Sequence, residues 1–334
     1  MPSLLSHPPM LYKAKSGFDY PEFFDLYQKA LASVWRPEEV AMGSDISDWS
    51  QNLTESEKNL IAGVLRGFTV VEMGISEYWG DTVCKLFKKP EVLSMARAFS
   101  FFEQIHAQAY NHLSDTLGIN EFEAFLADPA AQKKAERFFT SCSSEKVSLA
   151  VFSAAGEGVS LFASFAILLA FNKTGRMKGL AQIISWSVRD EICHSNGGSA
   201  LFRELVKETG ITDEEIAEIK TGFDTVIENE YSFLENIFGT VDNASIPINL
   251  FDLKAYIKSR ANDRLTNLGL DLSYPLSVNE ITSSRRISSW FDPMVKGQTN
   301  SDFFAMSKDG GGYVAKPGQD FLSVNLSSLD LSLA

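Results

Sequence analysis

Two Glu-x-x-His motifs constrain this chain more than any other feature of its sequence. Glu103 and His106 form the first, in the segment ARAFSFFEQIHAQAYNHLSDTL, and Glu191 and His194 form the second, in WSVRDEICHS. A helix turns once in about 3.6 residues, so the spacing places the carboxylate and the imidazole of each motif on one face. Among apolar neighbours such a pair is costly to bury unless a partner, such as a metal ion, compensates it. Two of the chain's four histidines fall in this pattern.

The doubled motif is typical of a ferritin-like bundle with a dinuclear site, which also takes one lone Glu from each of two further helices. Glu72 is one candidate, at the end of an apolar helical run, and Glu77 competes with it but has more polar neighbours. Glu157 is the other candidate, in the apolar segment SLAVFSAAGEGVSLFASFAILLAF. Small residues flank Glu157, so it is either a paired buried acid or a metal ligand.

A tyrosine extends the first motif. Tyr110 lies seven residues after Glu103 and one turn beyond His106, so it shares their face of the helix. Four carboxylates with two imidazoles suit iron or manganese better than copper or zinc. Tyr110 is therefore a candidate one-electron donor beside the metals, and we expect Phe102 and Phe165 to shield its hydroxyl.

The hydrophobic periodicity predicts an all-α fold, a ferritin-like helical bundle with extra helices. Strand-like alternation is almost absent, and Thr54 with Glu57, like Thr212 with Glu215, forms a helix-capping box. Helices are expected over residues 92–117, 144–172, 177–208, 213–238 and 250–268. From residue 270 the chain is rich in Ser, Asn, Gly and Asp and has few periodic segments. We expect a helical domain over residues 1–300 and a flexible tail over 301–334, either a frayed end or a tether that folds onto a partner.

Composition narrows the class of protein. The formal net charge of −13 argues against a nucleic-acid partner. Three scattered cysteines argue against a disulfide framework, and the N-terminus shows no signal-peptide pattern, so we expect a cytoplasmic protein. The apolar segment around Glu157 is long enough to cross a membrane, but an acid near its middle favours a central helix of a soluble bundle.

Several segments resemble the small, radical-generating subunit of class I ribonucleotide reductase. They are WRPEEV, EQIHAQAYNH, EGVSLFASF, RDEICH, ANDRLTNLGL and TNSDFF. The resemblance covers most of the chain, from Trp35 to the C-terminus. Together these segments are far more specific than the ferritin-like metal pattern alone.

The resemblance implies roles for individual residues. One metal would be held by Glu72, Glu103 and His106, and the other by Glu157, Glu191 and His194. Tyr110 would carry the radical, Trp35 and Asp190 would begin a relay linked to the metals through His106, and Tyr313 would continue it. The C-terminus, about residues 321–334, would dock on the large subunit, where ribonucleotides are reduced to deoxyribonucleotides. A homodimer is implied as well.

The resemblance also implies a dinuclear metal cofactor, either two iron ions, a manganese–iron pair or two manganese ions. Many members of the family have Asp where this chain has Glu72, and Glu occurs there in branches that combine manganese with iron. Those branches usually lack the radical tyrosine, whereas Tyr110 is present. Leu161 stands where many members have Phe, so the pocket differs in shape.

Three other interpretations of the same residues remain. A ferritin-like di-metal oxidase or oxygenase acting on its own substrate would share all six ligands but would need a substrate channel. An iron-storage bundle would be much shorter. A purely structural helical protein would pair its buried acids with Arg66, Arg97 or Arg189.

Overall fold

A computed structural model describes residues 3–6, 17–120, 142–242 and 246–300, and this part of the chain is helical without any strand. The main helices are α1 (Pro21–Ala32), α2 (Glu55–Glu77), α3 (Pro90–Leu117), α4 (Glu145–Thr174), α5 (Lys178–Thr209), α6 (Asp213–Gly239), α7 (Leu250–Leu268) and α8 (Val278–Asn300). Short helical segments lie between them at Pro37–Glu39, Gly43–Ser47, Asp48–Asn52, Tyr78–Val83 and Cys84–Leu86. The predicted all-α class is confirmed.

The ends of the helices follow local sequence signals where these exist. Thr54 caps α2 as predicted: its hydroxyl accepts a hydrogen bond from the Glu57 backbone at 3.2 Å, and the Glu57 carboxylate accepts one from the Thr54 backbone at 2.8 Å. Gly118 ends α3 with a left-handed φ of 68°, a conformation that glycine adopts without strain. The N-terminus of α5 is capped from a distance, because the Asp45 carboxylate accepts hydrogen bonds from the backbone of Gly179 and Leu180.

Helix α8 lies in the region where the sequence analysis expected few periodic segments. Its start carries a capping box that the analysis overlooked: the Glu280 backbone donates to the Ser277 hydroxyl, and the Glu280 carboxylate accepts from the Ser277 backbone. Its buried face consists of Ile287, Phe291 and Val295, four residues apart. Most of the other positions are polar, so few apolar residues mark the helical spacing of this region.

Helix α4 is interrupted, whereas the sequence predicted one continuous helix over 144–172. An α-helical start (Glu145–Leu149) widens into a π-helical segment (Ala150–Glu157), and α-helix resumes at Phe162–Ala170. The Ser160 backbone N–H shares its hydrogen bond between the carbonyls of Ala155 and Gly156, at 3.2 Å each. Such wide turns concentrate at functional sites, and this one ends at Glu157.

The same helix is the one segment of the described chain that is long and apolar enough to cross a membrane. The whole of its most apolar stretch is buried inside the protein, as expected for the core helix of a soluble bundle.

Glycines let α4 and α3 approach α5 closely. A Cβ atom on Gly198 would lie 2.1 Å from Cβ of Ser153 in α4, and one on Gly197 would lie 2.7 Å from the ring of Phe99 in α3. Both distances are far below van der Waals contact, so only glycine fits at these positions. The two contacts bring together the three helices that carry the Glu-x-x-His motifs and Glu157.

We therefore expect Gly198→Ala to lower the free energy of unfolding by about 1–3 kcal/mol, because the added methyl group overpacks the contact between α5 and α4. Gly43→Ala is the matched control, since a Cβ atom there meets nothing within 4 Å. Thermal unfolding of both variants checks this expectation. Equal melting temperatures for the two would show that the close approach is not required.

Candidate metal centre

The six predicted ligands meet in the interior of the bundle. Each is at most 1% exposed, and they come from α2 (Glu72), α3 (Glu103, His106), the end of the π-helical segment of α4 (Glu157) and α5 (Glu191, His194). The competing acid Glu77 is exposed. Burial therefore selects the lone carboxylates that the sequence had left open.

One group of four could hold a metal ion: Glu72, Glu103, His106 and Glu191 each offer one atom within 4.8 Å of the others. We call it the first group. Nδ1 of His106 lies 3.0 Å from Glu191 Oε1, 3.2 Å from Glu103 Oε2 and 4.0 Å from Glu72 Oε2.

A second group of four, Glu103, Glu157, Glu191 and His194, meets the same distance criterion. Nδ1 of His194 lies 2.6 Å from Glu103 Oε1, 3.8 Å from Glu191 Oε2 and 4.0 Å from Glu157 Oε1. Glu103 and Glu191 belong to both groups. The family resemblance implied one metal for each carboxylate, whereas Glu103 and Glu191 lie within reach of both groups.

The residues fit a pair of divalent cations. Carboxylate oxygens of all four glutamates are buried without a hydrogen-bond partner, both oxygens in the case of Glu72 and Glu191, and so is Nδ1 of His194. Among the arginines considered as structural partners, Arg189 donates to Asp190, Arg66 donates to the carbonyl of Asn120, and Arg97 is exposed. Four carboxylates would balance the charge of two divalent ions, and hard oxygen donors with two imidazoles suit iron or manganese.

The pKa values of the buried carboxyl groups reflect their crowding. Burial, together with the carboxylates of Glu103 and Glu191, raises the pKa of Glu72 well above its ordinary value. Burial and the Glu103 carboxylate raise the pKa of Glu191 to about 7. Burial alone would also raise the pKa of Glu103, but His194 and His106 beside it lower it. A cation would relieve the repulsion that the raised pKa values reflect.

A polar network extends from the first group toward Trp35. The Nε2 atom of His106 lies 3.4 Å from Asp190 Oδ2, and the same oxygen accepts a hydrogen bond of 2.8 Å from the Trp35 indole. Arg189 donates to the other oxygen of Asp190 at 3.1 Å. Burial opposes ionisation of Asp190, but the charge of Arg189 holds its pKa below the usual value. When Asp190 accepts a hydrogen bond from Nε2–H of His106, the Nδ1 atom keeps its lone pair. This lone pair then faces the glutamates of the first group and is free to bind a metal ion.

Tyr110 is fully buried beside the first group. Its ring centroid lies 6.3 Å from that of His106, and Phe68 stacks on it at 4.6 Å. Phe165 packs behind Phe68 at 5.1 Å, whereas Phe102 lies against the other imidazole, His194, at 6.1 Å. The prediction that Phe102 shields Tyr110 is therefore wrong, and Phe68 is the aromatic side chain that covers the Tyr110 ring. Burial and the Glu72 carboxylate raise the pKa of Tyr110 well above its usual value, so the phenol keeps its proton.

Comparison with known proteins identifies the family. The family model described as "Ribonucleotide reductase, small chain" matches residues 16–280. The chain belongs to this family. The ribonucleotide reductase small-chain resemblance that the sequence motifs carried is thus confirmed, and with it the ferritin-like fold.

Two relatives illustrate the match. The chain is 29% identical to the ribonucleoside-diphosphate reductase small chain of Variola virus, over 86% of this chain and 92% of that protein. It is 27% identical to the small chain of Nicotiana tabacum, over 95% and 99% of the two chains. Among solved structures, the dimanganese(II)-NrdF of Streptococcus sanguinis shares the fold, with a TM-score of 0.70, 22% identity, and coverage of 86% of this chain and 99% of that one.

Two aromatic side chains contact the candidate ligands of this small chain, and of the two only Trp79 was missed from the sequence. Trp79 donates its indole N–H to Glu157, and Phe99 packs on His194 with ring centroids 4.3 Å apart. Phe99 precedes Glu103 by four residues and so shares its face of α3, whereas Trp79 lies beyond the end of α2, in the short helical segment Tyr78–Val83. The predicted relay residue Tyr313 lies outside the described residues.

We expect metal uptake to release protons near neutral pH, because the ligands bind only in their deprotonated forms. The pKa of Glu191 is raised to about 7, so this carboxyl is protonated below that pH and affinity for Mn²⁺ should fall as the pH drops through 7. Calorimetric titration with Mn²⁺ in buffers of different ionisation enthalpy measures the proton count. Glu72→Gln should lower that count, whereas Glu77→Gln, at an exposed site, should not. A pH-independent affinity would contradict the expectation.

Proposed function

We propose that this small chain generates a one-electron oxidant at a buried pair of metal ions and holds it as a radical on Tyr110. The oxidant then passes to a large catalytic subunit, which reduces ribonucleotides to deoxyribonucleotides. The observation that carries this proposal is the pair of four-residue groups that share Glu103 and Glu191 next to a buried tyrosine.

In this proposal Glu72 and His106 would hold the first ion, Glu157 and His194 would hold the second, and Glu103 and Glu191, which belong to both groups, would contribute to both. The oxygen-rich donor set supports two iron ions, a manganese–iron pair or two manganese ions, with two irons as our leading assignment. When bound, the metal pair supplies the redox chemistry that removes one electron from Tyr110.

The residues of the chain itself prepare Tyr110 for that step. Burial excludes water, and Phe68 covers one face of the ring, which protects a radical from solvent. A phenol that loses an electron becomes strongly acidic, so its proton leaves as well. Glu72 is the carboxylate whose charge acts most strongly on the Tyr110 hydroxyl, which makes it the candidate acceptor of that proton.

Trp35 and Asp190 would form the first relay away from the metals. The hydrogen bond from Trp35 to Asp190 and the approach of Asp190 to His106 support a continuous path from the first group to the indole. We propose that Tyr313 continues this path and that residues 321–334 dock on the large subunit, as parts of a tail over 301–334 that follows the helical domain 1–300. Both lie outside the described residues.

The family assignment supports a homodimeric, cytoplasmic assembly with the large subunit, since the relatives are named as small chains of ribonucleoside-diphosphate reductase. It also favours this function over an oxidase acting on its own substrate. An oxidase would have no use for the hydrogen-bonded path through Asp190 to Trp35.

Replacing Tyr110 with Phe should abolish nucleotide reduction by the complete enzyme while leaving the metal content unchanged. The substitution removes only the hydroxyl and keeps the buried ring that stacks on Phe68. Low-temperature EPR should lose the tyrosyl signal in the same variant. Tyr78→Phe is the control, since Tyr78 is also buried but stacks on Phe152. Full activity of the Tyr110 variant would move the stored oxidant from the tyrosine to the metals.

Deleting residues 320–334 should remove binding to the large subunit without changing the metal content or the tyrosyl signal. Binding is measured by surface plasmon resonance with the immobilised large subunit. A synthetic peptide of residues 320–334 should compete with the full-length chain for the same surface. If the truncated chain still activates the large subunit, the docking assignment is wrong.

A further inference from the structure

Helix α7 contacts the bundle beside the metal centre through two arginines. Arg260 donates two hydrogen bonds to the carbonyl oxygen of Gly158, from Nε at 3.0 Å and from a terminal nitrogen at 2.9 Å. Its guanidinium carbon also lies 3.3 Å from the centroid of the Phe162 ring. The segment ANDRLTNLGL follows Arg260 directly, and the family resemblance implies no role for it.

Gly158 is the residue directly after Glu157. It lies in the interruption of α4, between the π-helical segment that ends at Glu157 and the α-helix that resumes at Phe162. Carbonyls at such a break lose their regular intrahelical donors and need others. The two N–H groups of Arg260 supply donors here, and they fix the backbone next to the Glu157 carboxylate.

Arg264 lies against the same backbone from α7. A Cβ atom on Gly158 would be 2.6 Å from Cδ of Arg264 and 2.5 Å from Oγ of Ser195, so the glycine lets the arginine stem pack directly on the chain. The Arg264 guanidinium donates to the side-chain oxygen of Asn196 at 3.1 Å. Asn196 lies two residues after His194, and the amide of Asn267 in α7 donates to the same oxygen at 3.0 Å.

We propose that Arg260 and Arg264 are positioning residues for the second group: Arg260 fixes the backbone beside Glu157, and Arg264 fixes α5 beside His194. The inference rests on the proposed two-metal site. In the first group, His106 is oriented instead by Asp190. We therefore expect the contact of Arg260 with the backbone beside Glu157 to act on the second metal position and not on the first.

The physical basis is the sensitivity of metal binding to the orientation of its ligands. Contacts that orient a ligand without touching the metal typically change affinity by about 10- to 100-fold when they are removed. Loss of Arg260 would free the turn that carries Glu157, while Glu103 and Glu191 would keep their places on α3 and α5. The expected loss is therefore confined to the second position.

The test is a titration of the metal-free, full-length chain with Mn²⁺, followed by calorimetry and EPR. The unaltered chain should bind two ions as a magnetically coupled pair. Arg260→Ala should bind the first ion normally and the second about 10- to 100-fold more weakly, with an uncoupled Mn²⁺ signal at one ion per chain. Anomalous scattering from crystals of this variant should place manganese beside Glu72 and His106 only.

Lys254→Ala is the matched control, because Lys254 is a cation of the same helix that pairs with Glu235 near the surface. It should bind both ions as the unaltered chain does. Arg260→Lys keeps one donor for the Gly158 carbonyl, so it should lose less affinity, again at the second position only. This conservative variant carries the test if Arg260→Ala does not fold.

Two results would overturn the inference. One is an unchanged two-ion titration in both Arg260 variants, and the other is an equal loss at both positions, which would indicate a general effect on the fold. An unaltered chain that binds no pair of ions would overturn the proposed function itself. A failure of the inference alone is therefore recognisable, because the unaltered chain still binds its pair.

Discussion

Four carboxylates buried within a few ångströms of one another are the constraint on which the rest of the structure depends. Each buried charge costs several kcal/mol unless it is paired, and the hydrogen bonds of the site leave most of these oxygens without donors. Two divalent cations would balance the charge. The ligands come from four helices, so these helices must pack closely around the ions. Gly197 and Gly198 make this possible where α5 meets α3 and α4.

Local periodicity made much of this predictable. The spacing within each Glu-x-x-His motif and the position of Tyr110 are properties of a single helix, so the sequence alone places them on one face. The preference for Glu72 over Glu77 as a candidate ligand, and the surroundings of Glu157, depend on burial that other helices create. The π-helical segment of α4 and the Trp79 contact depend on tertiary packing in the same way. Helix α8, in contrast, could have been predicted from the sequence, because Ser277 and Glu280 have the spacing of a capping box.

The two halves of the centre have different surroundings. His106 is linked through its outer nitrogen to a charged network of Asp190, Arg189 and Trp35, which leads away from the metals. His194 instead lies among aromatic rings, with Phe99 at 4.3 Å. An apolar environment of this kind offers no proton-coupled path. The proposed relay therefore starts at the first group. The contacts of the second group with α7 and Trp79 serve to position its ligands.

Glu72 connects metal binding to the tyrosine. It belongs to the first group, both of its oxygens lack hydrogen-bond donors, and its charge helps to raise the pKa of Tyr110. A cation bound to Glu72 would offset the negative charge that raises the pKa of the phenol, and it would also make Glu72 a weaker acceptor of the phenolic proton. The side chain at this position thus influences both how tightly the first ion is held and how readily Tyr110 is oxidised. Glu is one methylene longer than Asp, so a Glu at position 72 would change both the affinity for the first ion and the ease of oxidation of Tyr110.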